Sequence, residues 1–191
     1  IGRKHTAQQF FDAFELARKC GFDNINTDLI AGLPTDTPES FKNSLDSIVR
    51  LNAECITVHT LCMKRASRLT TEGVTLDLQQ ARDAREMLAY TQNILGQNEY
   101  IPYYMYRQSR MVGNLENVGW SKKGFESLYN VYVMDETHTI LACGSGGVTK
   151  LKRNNPDYLE RIFNFKYPYE YIDRFDELIQ RKSGIMQFYG Q

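Results

Sequence analysis

The segment Ile25-Asn26-Thr27-Asp28-Leu29-Ile30 runs into Gly32-Leu33-Pro34 and then into Thr37-Pro38-Glu39, an order of residue types that constrains the fold more than any other feature of the chain. β-prone residues followed by a glycine and proline turn predict a strand that ends abruptly. Thr37 then supplies an N-cap oxygen, Pro38 suits the first helical position, and Glu39 sets a negative charge beside the first-turn N–H groups. Phe41, Leu45, Ile48 and Val49 continue at the helical period.

The same alternation extends on both sides. Thr6 with Gln9 makes a capping box ahead of Phe10, Phe11, Phe14 and Ala17, which predicts a helix from Ala7 to Cys20 with Gly21 at its end. Cys55 to Leu61 reads as a strand buried on both faces, as parallel sheets demand. Asp77 with Gln80 opens a helix to Leu95 closed by Gly96, and Tyr100 to Tyr106 is an aromatic strand despite Pro102. Repeated β and α units of this kind predict an α/β fold with a parallel sheet and right-handed crossovers. The last third is less regular. Gln108 to Gly124 reads as an ordered loop, Tyr129 to Met134 as strand or short helix, and Thr139 to Cys143 as a short strand leading into Gly144-Ser145-Gly146-Gly147. Two helices, near Pro156 to Phe163 and Tyr169 to Ser183, are expected to finish the chain.

A length of 191 residues with 42% hydrophobic content supports one compact core but is short for a complete α/β barrel. Acidic and basic residues balance at 23 each, so no net field gathers nucleic acid or anionic lipid. No run of about 18 apolar residues suggests a membrane span, and no basic flank with an apolar stretch suggests a signal peptide. A soluble, cytoplasmic protein without nucleic-acid or membrane partners is expected. Cys20, Cys55, Cys62 and Cys143 have no zinc or redox spacing, and the three histidines have no paired spacing, so no metal site is expected within the chain. Ile1-Gly2-Arg3 is not an initiator methionine with its leader, and the chain is expected to be a fragment.

In parallel α/β folds ligands bind beyond the carboxyl ends of the strands. Three features fall there. Asp28 is either a turn-capping group or a carboxylate for a ribose hydroxyl or an amine. His59, Lys64 and Arg65 form either a solvated basic corner or a grip for carboxylates. Gly144 to Gly147 is either a simple turn or a close backbone approach to a cofactor. Tyr103, Tyr104 and Tyr106 could stack on a flat ligand or line an amphipathic core strand.

Taken in order, Ile1-Gly2-Arg3-Lys4-His5, Ile25 through Pro34, and Thr37-Pro38-Glu39-Ser40-Phe41 resemble the oxygen-independent coproporphyrinogen III oxidase family of radical S-adenosylmethionine enzymes. Val58-His59-Thr60-Leu61 with Lys64-Arg65-Ala66-Ser67, Tyr106-Arg107-Gln108 and Gly113 to Gly119 look like the branch named coproporphyrinogen dehydrogenase. The resemblance covers nearly the whole chain. It implies the C-terminal part of a partial (β/α)6 radical SAM barrel over residues 1–150, followed by a C-terminal helical extension over 151–191. It implies two cofactors, S-adenosylmethionine and a [4Fe-4S] cluster at the C-terminal edge of the strands. By position Arg3, Asp28, Cys62 and Val148 match the family's contacts to S-adenosylmethionine: Arg3 facing its carboxylate, Asp28 the ribose or amine, Cys62 and Val148 acting through backbone or packing. Lys64 and Arg65 are the candidates for gripping substrate carboxylates.

The implied reaction is oxidative decarboxylation of two propionates of coproporphyrinogen III, giving protoporphyrinogen IX in haem biosynthesis. A porphyrinogen substrate and a reductant protein are the implied partners. The family's Cys-x-x-x-Cys-x-x-Cys is not found in these residues, so the cluster ligands are expected upstream and this polypeptide is expected to be inactive alone. Catalytic residues cannot be assigned from the sequence. The alternative is a haem chaperone, which proteins of closely similar sequence can be.

Overall fold

A computed structural model describes residues 4–62, 78–107, 111–155 and 157–190. The chain divides by compactness into two units, Ile1–Ser127 and Leu128–Gln191.

The first unit is built on a four-stranded sheet of order β1-β2-β4-β3, with β1 Asn26–Ala31, β2 Cys55–Thr60, β3 Tyr100–Tyr106 and β4 Asn117–Lys122. Its helices are α1 Ala7–Lys19, α2 Pro38–Arg50 and α3 Leu78–Gln97. The capping box at Thr6 and Gln9 is formed, with both reciprocal hydrogen bonds present, and Thr37 accepts from the Ser40 N–H with Pro38 opening α2. Asp77, the expected opener of α3, lies outside the described residues.

One face of the sheet carries the core. Ala31, Ile56, Val58, Tyr100 and Trp120 pack against Phe41, Leu45 and Ile48 of α2 and Met87 and Leu95 of α3. Burial of this apolar surface is the main force holding the unit together. A second tie lies at the start of β1. Arg18 grips both oxygens of Glu54, at 2.7 and 2.8 Å, and Glu54 accepts the Ile25 N–H at 3.0 Å.

The sheet is mixed, which corrects the expectation of a parallel one. β1 and β2 run parallel, with Asp28 opposite Thr57, but β4 runs antiparallel to both β2 and β3 and sits between them. Residues 117–122, expected to be loop, form this inserted strand. Its residue opposite Tyr104 is Gly119. With no side chain there, the two-residue period of a strand is hard to see in the sequence.

The second unit holds α4 Leu128–Asp135, an antiparallel hairpin of β5 Val148–Asn154 and β6 Asp157–Phe163, and three short helices, α5 Pro168–Asp173, α6 Phe175–Lys182 and α7 Gly184–Tyr189. The ambiguous stretch after Tyr129 is therefore helix. The helix expected over Pro156 to Phe163 is strand from Asp157 onward. Leu159, Ile162 and Phe163 mimic a helical period, but pairing with β5 across seven positions outweighs that local preference. The helix expected over Tyr169 to Ser183 breaks at Arg174, where φ is −114° and ψ is 33°. Thr139 to Cys143 contributes only an isolated bridge between Ile140 and Lys150. Among the described residues no helix is long and apolar enough to cross a membrane.

Candidate functional site

The face of the first sheet opposite the core is polar, and alternation places its residues there. On β1 and β2, Thr27, Leu29, Ile56 and Val58 turn to one side, which leaves Asn26, Asp28, Thr57 and His59 on the other. Register carries the same face onto β4 as Asn117 and Gly119 and onto β3 as Tyr104 and Tyr106.

Asp28 is the acceptor on which these residues converge. Asn26 Nδ2 donates to Asp28 Oδ1 at 2.7 Å, and His59 Nε2 stands 3.8 Å from the same oxygen. That second distance is beyond a direct hydrogen bond and is an electrostatic approach. The imidazole of His59 is the largest influence holding the Asp28 carboxyl below its ordinary range; burial opposes it, and Asn26 and Thr57 add to it. Asp28 keeps 60% of its side chain exposed and His59 30%, so the pair is open to a ligand. Asp28 also lines a cavity of about 830 Å³ with His5, Phe10, Phe11, Thr37 and Glu39. That volume lies within the range of small-molecule sites.

The Thr57 hydroxyl donates to Asn26 Oδ1 at 3.0 Å and meets the Tyr104 hydroxyl at 3.3 Å, while the Tyr106 hydroxyl meets His59 Nδ1 at 3.3 Å. The Tyr104 and Tyr106 rings are stacked, 6.4 Å between centroids and 6° between planes. Burial chiefly, and to a lesser degree the Asp28 carboxylate, push both phenols up, so they remain protonated donors. Cys62 is half-buried just beyond β2, in an isolated bridge with Met111, and its thiol adds to the upward push on Tyr106.

Arg3, Lys64 and Arg65 lie outside the described residues. Val148 is half-buried at the start of β5 in the second unit. The glycine loop before it is tied to its own surroundings. Asn164 Nδ2 donates to the carbonyls of Ala142 and Gly144 at 3.4 and 2.7 Å, and Lys182 Nζ donates to the Ala142 carbonyl at 2.9 Å. A Cβ on Gly147 would stand 3.0 Å from the Cys143 carbonyl oxygen and 3.1 Å from Asn164 Nδ2. Glycine is needed there for the loop's own packing. Among the described residues no group of three or more His, Cys, Asp or Glu side chains gathers to hold a metal.

Asn26, Thr57 and Asn117 escaped sequence reasoning. The signal that could have found them is a polar residue at every second position of strands that are otherwise apolar: Asn26 and Asp28 on β1, Thr57 and His59 on β2.

No protein-family model matches the chain. It is 37% identical over 187 residues to the oxygen-independent coproporphyrinogen-III oxidase-like protein HemZ of Bacillus subtilis, covering 98% of this chain and 37% of that protein. Its structure superposes on coproporphyrinogen III oxidase HemN of Escherichia coli, a radical SAM enzyme, with a TM-score of 0.63 over 93% of this chain and 39% of that one, at 18% identity. The chain belongs to the oxygen-independent coproporphyrinogen III oxidase family. Within this family it is also 31% identical over 164 residues to the heme chaperone HemW of Lactococcus lactis, across 81% of this chain and 39% of that protein. The chain spans little more than a third of the length of these relatives. The shared fold is that of the HemN radical SAM protein.

Proposed function

We propose that the protein is a cytoplasmic radical S-adenosylmethionine enzyme that converts coproporphyrinogen III to protoporphyrinogen IX by oxidative decarboxylation, drawing electrons from a reductant protein. Asp28 is the observation that carries this reading. It is an oriented, exposed carboxylate held below its ordinary range, on the polar face of a radical SAM sheet and beside a cavity of small-molecule size. That chemistry fits a ribose hydroxyl or an ammonium group, both donors to a carboxylate. Arg3, Asp28 and Cys62 are the proposed cofactor contacts of the first unit, and Val148 is that of the second. Lys64 and Arg65 are proposed to hold substrate carboxylates through charge-assisted hydrogen bonds.

Bound S-adenosylmethionine supplies the radical that starts the reaction. The chain's own residues orient it: Asp28 accepts from its polar groups, and the phenols of Tyr104 and Tyr106 present a stacked aromatic edge beside that carboxylate. The described residues gather no set of side chains that would hold an iron–sulfur cluster.

The likeness to the Lactococcus lactis heme chaperone supports a second reading, haem carriage. One experiment separates the two. The protein expressed from its complete gene and reconstituted with iron and sulfide without oxygen is assayed for 5′-deoxyadenosine and for decarboxylated porphyrin, then titrated with haem. Formation of both products supports the enzyme. Stoichiometric haem binding with neither product abandons it for the chaperone.

A further inference from the structure

Two lines of polar contacts cross the polar face of the first sheet, and chemistry fixes the direction of each. The first begins at the Thr60 backbone N–H, which can only donate, and does so to Asn117 Oδ1 at 2.7 Å. The amide is thereby oriented with its Nδ2 outward, on the residue that register sets opposite Tyr106. A neutral imidazole that faces a carboxylate through Nε2, here at 3.8 Å, carries its proton there, so Nδ1 is the atom that accepts from the Tyr106 hydroxyl at 3.3 Å. This order sets a donor toward the carboxylate, at the separation of an electrostatic approach.

The second line ends on the same oxygen. Asp28 Oδ1 accepts from Asn26 Nδ2, so Asn26 Oδ1 is the atom that takes the Thr57 proton, and Thr57 in turn accepts from Tyr104. Donors run toward Asp28 along both lines. Asn26 and His59 both address Oδ1, and Oδ2 is the oxygen that neither addresses.

We propose that Tyr106, acting through His59, is a positioning residue for Asp28: its hydroxyl fixes the imidazole tautomer, and the Nε2–H so placed turns the carboxylate to present Oδ2 to the hydroxyl or ammonium group of a ligand. This rests on the reading of Asp28 as a cofactor contact for the identity of that ligand; the tautomer does not depend on it. Among the described residues the titratable groups around Asp28 are His59 on β2, Tyr104 and Tyr106 on β3, Cys62 just beyond β2, and His5 and Glu39 across the cavity. β4 contributes the uncharged Asn117 and Gly119 to this face.

The test has two arms on the protein expressed from its complete gene. In the first, nitrogen NMR of the ligand-free protein reads the His59 tautomer, with His59→Gln identifying the signal. The wild type is expected to carry its proton on Nε2, and Tyr106→Phe to raise the Nδ1–H form severalfold. In the second, calorimetry measures S-adenosylhomocysteine binding from pH about 5.5 to about 8, the range in which an imidazole titrates. Tyr106→Phe is expected to weaken binding about threefold to tenfold, the worth of one lost hydrogen bond, and to alter its pH profile; Asp28→Asn should weaken it more. A wild-type His59 protonated at Nδ1 overturns the proposal, as does a tautomer that Tyr106→Phe leaves unchanged. So does a shifted tautomer with unaltered affinity. Absence of binding to the wild type would instead overturn the reading of Asp28 as a cofactor contact, and the nitrogen spectrum would still decide the wiring.

Discussion

The ring of Tyr104 lies across the backbone of Gly119, so that a Cβ on that glycine would stand 1.9 Å from Tyr104 Cε1. The two residues face each other across the β3–β4 pairing, next to a register shift between Pro102 and Tyr104. Gly119 is therefore the floor on which the phenol lies flat, and from there the hydroxyl reaches Thr57.

Gly119→Ala should displace the Tyr104 ring and cost about 1–3 kcal/mol, the usual range for overpacking. In a Tyr104→Ala background the same change should cost far less, because the atom it collides with is gone. Urea unfolding of the four proteins in a double-mutant cycle measures the coupling. Additive costs would mean that the ring is not what Gly119 accommodates.

Glu54 ties Arg18 of α1 and the Ile25 N–H to the start of β2. Burial alone would raise its carboxyl, but the Ile25 N–H and Arg18 lower it below the ordinary value of 4.5. A lowered carboxyl stabilises the fold fully above its unfolded value and loses that contribution as pH falls through the folded one. Glu54→Gln should cost about 1.5–3 kcal/mol at neutral pH, as for hydrogen bonds to a charged group. The difference from wild type should shrink as pH falls below 4.5, which melting curves across acid pH would record.

The Asp28 carboxyl should titrate below its ordinary value of 3.8 in the folded protein, and His59→Phe should raise it, since the imidazole is the largest influence lowering it. Carbon NMR of the side-chain carboxyl reads both. The carboxylate consequently stays charged throughout neutral and mildly acid pH. Loss of ligand affinity near pH about 6 would have to come from another group, such as an imidazole.

Thr37 caps α2 through the Ser40 N–H at 3.1 Å. Thr37→Ala should destabilise by about 1 kcal/mol, and Thr37→Ser, which keeps the oxygen, by much less. Thermal denaturation of the two variants distinguishes a lost cap from a lost methyl.

Among the described residues from Thr6 to Tyr106 the order of helices and strands was legible in the sequence, because caps and periodicity act within a few residues. Thr6 with Gln9, Thr37 with Pro38, and the apolar stripe of Phe41, Leu45 and Ile48 each occupy the place their residue types predict. Asp28 was singled out by its position at a strand before a turn, and the structure gives it partners that turn a bare carboxylate into an oriented acceptor.

What tertiary structure alone decided was pairing between distant segments. β4 enters the sheet between β2 and β3 although its strand period is hidden at Gly119, and β6 is a strand because β5 lies beside it. His59 meets Tyr106 across 47 positions of sequence, and Thr60 meets Asn117 across 57. Local propensity fixes what each segment tends to become. Register between strands, which sets the side chains that share a face, is won only when the whole sheet closes and its apolar side is buried.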